Sequence, residues 1–140
     1  MDKSDIEIII KTEGDDKQWE YKTQNEIIYK CEILRVKMGF LCGYVKLTKD
    51  DTFYNVHYDD LPIKAHGGVT YSQLEDDLWV IGFDCGHHGD LIPTSEYFDR
   101  IGIYRDMEYV SRWCEHICEQ LSEKNIHLSR DNKIKSILNE

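Results

Sequence analysis

The stretch LWVIGF, residues 78–83, is the clearest strand signal in this 140-residue sequence. It is short and apolar and contains β-branched and aromatic side chains, which is typical of a strand buried on both faces. We therefore predict a central strand here. Glycine and histidine crowd both of its flanks, as His66-Gly67-Gly68 on one side and as DCGHHGD, residues 84–90, on the other. The predicted strand thus joins two polar loops that carry chemically versatile side chains.

The N-terminal side of this strand contains four further segments with strand-like composition. They are IEIII at residues 6–10, and residues 19–23, 26–36 and 40–47. Turn residues separate the segments, and their β-branched and alternating side chains favour strands over helices. Gly43, inside the last of them, indicates either a β-bulge or a close backbone approach.

Two long irregular stretches, residues 48–65 and 84–104, flank the region of the central strand. Loops of this length inside a compact domain are uncommon unless they serve a function. Both loops are therefore candidates to contain the functional site.

An amphipathic helix is predicted after Asp106, which is a favourable helix N-cap. A narrow apolar face recurs at helical spacing: Met107, Val110, Cys114, Ile117, Cys118 and Leu121. Residues 122–140 are polar and suggest a short final helix. Strands followed by a helix predict an α+β fold, with a small, mostly antiparallel sheet and one main C-terminal amphipathic helix packed on it. We expect a single domain over residues 1–140, with N-terminal strands in 1–40, a core in 41–121 and a C-terminal extension in 122–140.

The composition excludes several function classes. The formal net charge of −10 argues against binding duplex nucleic acid, since such binders neutralise phosphates with clustered Lys and Arg. The acidity fits either a solvated surface or a basic protein partner. Five cysteines without a secretory signal argue against a disulfide framework. No apolar run approaches the roughly 20 residues of a membrane span. We therefore expect a cytoplasmic protein with no membrane association.

A metal site is one interpretation of the flanking patches. His66, Cys85, His87, His88 and Asp90 are all competent ligands for zinc or another divalent metal, with His66, His87 and Asp90 as the favoured set. The alternative is that the histidines are held by hydrogen bonds to backbone or carboxylate groups. A thiolate nucleophile at Cys85 beside His87 and Asp90 is a third possibility, against which stands the tendency of such cysteines to be buried and inert.

A phosphate or nucleotide cradle is a further interpretation. His66-Gly67-Gly68 and Gly86-His87-His88-Gly89 can expose consecutive backbone N–H groups, while an aromatic side chain such as Tyr71 can stack on a base. The alternative is that these glycines only permit positive φ in tight turns. Asp59 and Asp60, which lie next to aromatic residues, are candidates for a binding rim, and Asp84 is a candidate supporting residue.

The sequence resembles a family of small uncharacterised proteins found in phages, prophages and related mobile elements. The motifs that carry the resemblance are CGYV, YDD, HGGVTY, W-x-x-GFDC-x-H-x-GD and YR-x-x-EYV, which precede a C-terminal helix. The resemblance covers residues 41–121. The chain departs from the family pattern at Gly86, where alanine is usual, and in the additional His88.

The resemblance implies a context of mobile DNA in a bacterial host cytosol. Small acidic proteins of this origin, anti-CRISPR inhibitors among them, counter host defences. The first hypothesis is therefore a binding protein without a cofactor that inhibits a host immune protein, such as a CRISPR–Cas effector, or sequesters a nucleotide signal. The alternative is a small metal-dependent phosphoester hydrolase that uses the two histidine patches. A homo-oligomer is compatible with both hypotheses.

Overall fold

The computed structural model of the chain describes residues 2–95 and 102–138, with side-chain contacts described as far as residue 125. Its elements are α1 (Lys3–Glu13), β1 (Asp16–Lys22), β2 (Ile28–Arg35), β3 (Leu41–Leu47), a 3-10 turn (Tyr58–Asp60), β4 (Tyr71–Glu75), β5 (Leu78–Asp84) and α2 (Met107–Leu138). The five strands form one antiparallel sheet in the order β1-β2-β3-β5-β4, and α2 packs on it across β2 and β3. The predicted α+β class and the packing of the C-terminal helix on the sheet are confirmed.

The predicted strand at residues 78–83 is confirmed as β5, an inner strand between β3 and β4. The middle position of the sheet belongs to β3. Strand β4 was not predicted, and it pairs with β5 through a hairpin whose two turn residues, Asp76 and Asp77, have φ angles of +48° and +66°. Such a turn usually contains Asn-Gly or Asp-Gly. Because this turn contains two aspartates instead, the sequence did not indicate a hairpin here.

The strand prediction for residues 6–10 is wrong, because these residues form the middle of α1. The carboxylate of Asp2 accepts the backbone N–H of Asp5, and the carboxylate of Asp5 accepts that of Asp2, so the first turn of the helix is capped reciprocally. Ile6 is buried against a small apolar cluster that includes Leu91, whereas Ile8 is 62% exposed. Capping and the burial of one helical face here override the β-preference of four isoleucines.

The apolar face predicted for the C-terminal helix is confirmed, since all six of its side chains are buried in α2. The helix begins where the sequence indicates, with the Asp106 carboxylate accepting the backbone N–H of Tyr109 at 2.8 Å. It continues unbroken to Leu138 and so passes through the expected boundary at residue 121, where a separate short helix was predicted. No helix in residues 2–95 or 102–138, α2 included, combines the length and the apolar character needed to cross a bilayer.

Gly43 marks a close approach and not a bulge. Its pairing is continuous on both sides, with Ile33 of β2 and Phe83 of β5. A Cβ atom on Gly43 would lie 2.6 Å from the Phe83 ring and 2.8 Å from the Cys114 sulfur. The absence of a side chain at Gly43 therefore allows α2 to pack closely against β3 at the centre of the sheet.

Candidate functional site

The two glycine–histidine patches lie side by side in the fold. We call them the histidine–glycine loops, residues 66–68 and residues 86–89. Gly67 has a φ angle of +68°, and a Cβ atom there would lie 2.3 Å from Cδ2 of His87. The rings of His66 and His87 are 6.3 Å apart, centroid to centroid. The end of β5 positions one loop and the chain leading into β4 positions the other, because these strands are neighbours in the sheet.

Asp90 joins the two loops. Its side chain is 1% exposed, and both of its carboxylate oxygens lie 2.9 Å from Nε2 of His66. Oδ1 also accepts a hydrogen bond from Nε of Arg105 at 2.9 Å, and Oδ2 accepts one from the backbone N–H of His87 at 3.0 Å. A buried carboxylate is costly unless donors surround it, and these three donors meet that requirement. We refer to Asp90, His66, Arg105 and Tyr109 as the Asp90 cluster.

The electrostatics of the cluster keep Asp90 ionised. Burial acts to raise the pKa of the carboxyl group, but the hydrogen bonds from His66, Arg105 and the His87 backbone outweigh it and lower the pKa below its ordinary value. A carboxylate only accepts, so Nε2 of His66 carries a hydrogen. The other ring nitrogen, Nδ1, lies 2.8 Å from the Tyr109 hydroxyl. The buried charge therefore fixes the orientation of His66 with Nδ1 directed at Tyr109.

Arg105 and Tyr109 were not identified as site residues from the sequence. Arg105 precedes α2 and Tyr109 lies in its first turn, and the guanidinium carbon of Arg105 lies 5.0 Å from the centroid of the Tyr109 ring. A cation and a tyrosine four positions apart at the start of a helix lie on the same side of it. That spacing was the available signal, but nothing in the sequence connected it with His66, which lies 43 positions before Tyr109.

The arrangement of the predicted metal ligands differs from a metal site. Both ring nitrogens of His66 are engaged by Tyr109 and Asp90, and the Asp90 oxygens are shared among three donors. Nε2 of His87 lies 3.3 Å from Asp84 Oδ1, poorly aligned for a hydrogen bond and otherwise without a partner. Within the described ranges, no three His, Cys, Asp or Glu side chains are grouped to hold a metal ion. Metal binding by His66, His87 and Asp90 stays a prediction, and it requires His66 to leave its present partners.

Cys85 directly precedes the second histidine–glycine loop and is 1% exposed. Burial, together with the nearby Asp90 carboxylate, raises the pKa of its thiol far above the ordinary value. Because the thiolate is the reactive form, this environment disfavours Cys85 as a nucleophile.

The loop after β5 is held in shape by Asp84, whose carboxylate accepts the Gly86 N–H at 2.9 Å and the Thr70 hydroxyl at 3.3 Å. Gly86 suits this position because a Cβ atom would lie 2.7 Å from the Phe40 ring.

The outer side of the loops is open. Gly68 and Gly89 have φ angles of +85° and +92°, and no atom lies within 4 Å of where a Cβ atom would stand. His88 is exposed. The backbone N–H groups of Gly67, His88 and Gly89 have no acceptor in the part of the chain that the structure describes. The loops thus leave three backbone donors without a partner among the described residues.

Three other predicted site residues show no contact with the Asp90 cluster. Asp59 and Asp60 are exposed on the 3-10 turn, where their backbone N–H groups bond to His57. Tyr71 donates its hydroxyl to Glu75 on its own strand and packs against Tyr44. Their role as a binding rim or stacking surface stays a prediction.

No protein-family model, curated protein or solved structure matches this chain.

Proposed function

We propose that the chain is an accessory binding protein of a phage or mobile element that counters a host defence by capturing a nucleotide signal in the histidine–glycine loops. The observation that carries this proposal is the joining of the two loops through buried Asp90, with the N–H groups of Gly67, His88 and Gly89 left open. The counter-defence role itself rests on the resemblance to the mobile-element family.

The chemistry of the open side favours a phosphate group. Backbone N–H groups near positive-φ glycines form concave anion sites. The exposed His88 side chain in the second loop adds a further donor. The Nη atoms of Arg105 have no acceptor in the described part of the chain, because Asp90 engages only Nε. Since the Asp90 cluster fixes the loops before a ligand arrives, little conformational entropy is lost on binding.

The net charge of −10 supports a second route to the same end, in which the acidic surface occupies a basic channel of a host immune protein such as a CRISPR–Cas effector. This route does not require the histidine–glycine loops. Substitutions in the loops therefore separate the two routes.

Native mass spectrometry of the purified protein tests the proposal first, because it reports a carried nucleotide, a bound metal and the oligomeric state together. Stoichiometric metal that disappears in a His66→Ala/His87→Ala variant would favour the hydrolase alternative instead.

Calorimetric titration with a 3′,5′-cyclic dinucleotide and with inorganic phosphate then measures binding. Gly67→Ala should weaken it by about tenfold or more, or about 1.4 kcal/mol, because the new Cβ displaces His87. Gly14→Ala is the matched control: Gly14 also has positive φ, at +83°, but open space beside it and a place at the end of α1. Equal binding by the two variants would contradict the proposal, as would wild-type protein that binds neither compound.

A further inference from the structure

We propose that Tyr109 is a nucleophile, activated by His66 and Asp90, that cleaves a phosphodiester bond of the nucleotide held at the histidine–glycine loops. This inference rests on the proposed function and extends it from capture to destruction of the signal.

The cluster has the three parts that an activated nucleophile needs. The Tyr109 hydroxyl lies 2.8 Å from His66 Nδ1, and His66 Nε2 lies 2.9 Å from both oxygens of Asp90. A hydroxyl, a base and a carboxylate that orients the base, all within hydrogen-bond reach, form the arrangement found in serine hydrolases with the serine replaced by tyrosine. Asp90 is held on its other sides by Arg105 and the His87 backbone, so the base has one fixed orientation.

The Asp90 cluster adjoins the histidine–glycine loops that are proposed to bind the phosphate. His66 immediately precedes Gly67, whose N–H has no acceptor among the described residues, so the base and one candidate phosphate donor belong to the same turn. Tyr109 lies in the first turn of α2, a rigid element packed on the sheet. A nucleophile on a rigid element next to the proposed phosphate site would meet the requirement for proximity and orientation.

Arg105 supplies the remaining element. Asp90 holds its Nε, and its guanidinium lies 5.0 Å from the centre of the Tyr109 ring. The Nη groups are therefore available to donate to the non-bridging oxygens of a phosphodiester attacked by Tyr109. A fixed guanidinium stabilises the negative charge on the phosphate as the transition state forms.

The reaction consists of two displacements at phosphorus. In the first, Tyr109 Oη forms a bond to phosphorus, its proton passes to His66 Nδ1, the P–O bond to the leaving alcohol breaks, and the proton moves on to that alcohol. In the second, water attacks the tyrosyl phosphodiester, gives a proton to His66, and releases Tyr109 as the protonated phenol with a phosphomonoester as product. No electrons are transferred and no co-reactant other than water is consumed.

The test uses the full-length protein with two probes, bis(4-nitrophenyl) phosphate and a 3′,5′-cyclic dinucleotide. Wild-type protein should cleave both, and acid-quenched samples should carry a phosphoryl adduct that peptide mass spectrometry maps to Tyr109. Tyr109→Phe should reduce cleavage to background, and His66→Gln should reduce it by about 10²- to 10⁴-fold. Tyr54→Phe is the matched control, since its hydroxyl donates to the Asp77 carbonyl away from the cluster.

Binding measured in parallel separates the two proposals. Wild-type protein that binds the dinucleotide but neither cleaves a probe nor forms an adduct would overturn this inference and leave the proposed function intact. An adduct mapped elsewhere, or undiminished cleavage by Tyr109→Phe, would also overturn it. Failure to bind and to cleave would overturn both proposals. Cleavage of the chromogenic diester that depends on Tyr109, without dinucleotide binding, would support the inference and overturn only the proposed ligand.

Discussion

The Asp90 carboxylate is buried, where a charge is costly, and hydrogen bonds from three donors stabilise it there. The sequence identified both His66 and Asp90 as site residues, because polar side chains beside glycines in long loops are typical of sites. It could not show that the two side chains bond to each other, since that contact spans 24 positions and depends on the pairing of β4 with β5. Arg105 and Tyr109 were missed for the same reason.

Asp90→Asn should destabilise the fold by about 3 kcal/mol or more at pH 7, because it leaves Arg105 and His66 without a charged partner. The pKa of Asp90 is lowered in the folded state, so its stabilising effect is complete above the unfolded value of about 3.9 and is lost as the pH falls through the folded value. Urea unfolding of both proteins should show a deficit at pH 7 that shrinks below pH 4. Asp50→Asn, at an exposed position, should show no deficit. A deficit of Asp90→Asn that is independent of pH would contradict this account.

Gly67→Ala and Gly68→Ala compare the same backbone strain with and without a steric clash. Both positions have positive φ, which costs an alanine about 1–2 kcal/mol. Only the Gly67 side chain would strike His87. Thermal unfolding should therefore give a lower Tm for Gly67→Ala than for Gly68→Ala, whereas equal Tm values would mean that His87 does not pack on Gly67.

At the scale of elements, α1 is joined to the rest of the fold through Arg35. The Arg35 side chain is 7% exposed and donates to Glu13 and to the Tyr104 hydroxyl. Glu13 also accepts the backbone N–H of Met107 at 2.9 Å, which ties the last turn of α1 to the first turn of α2. The sequence could not reveal these long-range contacts. Its local helix signal for α1 is a capping box made of two aspartates, which is weaker than the strand signal of a run of isoleucines, so α1 was predicted as a strand. The longer amphipathic pattern of α2 was predicted correctly because six apolar positions agree on one face.

Arg35→Lys should loosen α1, because a single ammonium group cannot replace the planar guanidinium fork that reaches several acceptors at once. We expect hydrogen-exchange protection of α1 amides to fall by about 100-fold, equivalent to about 3 kcal/mol. The control is Arg112→Lys, whose ion pair with Glu108 is exposed and should leave protection unchanged. Unchanged protection in both variants would show that the apolar cluster around Ile6 holds α1 without Arg35.

For the whole molecule, the charge of −10 and the clustering of donors at one pair of loops have opposite consequences for anions. The overall field repels an extended polyanion, whereas we propose that the histidine–glycine loops bind a small one. An electrophoretic mobility shift assay should therefore detect no complex with a short DNA duplex even at low salt, where phosphate contacts are strongest. A complex that dissociates as salt increases would reveal a basic surface that this account does not contain.

We propose above all that the histidine–glycine loops bind a phosphate-bearing nucleotide through their free backbone donors. The most direct measurement is a ¹H–¹⁵N correlation spectrum of the protein titrated with a 3′,5′-cyclic dinucleotide. We expect saturable shifts of the amide signals of Gly67, His88 and Gly89, with the amide signals of β1 and β2 unchanged. Absence of any shift at these three amides, at concentrations that saturate the protein by calorimetry, would contradict it.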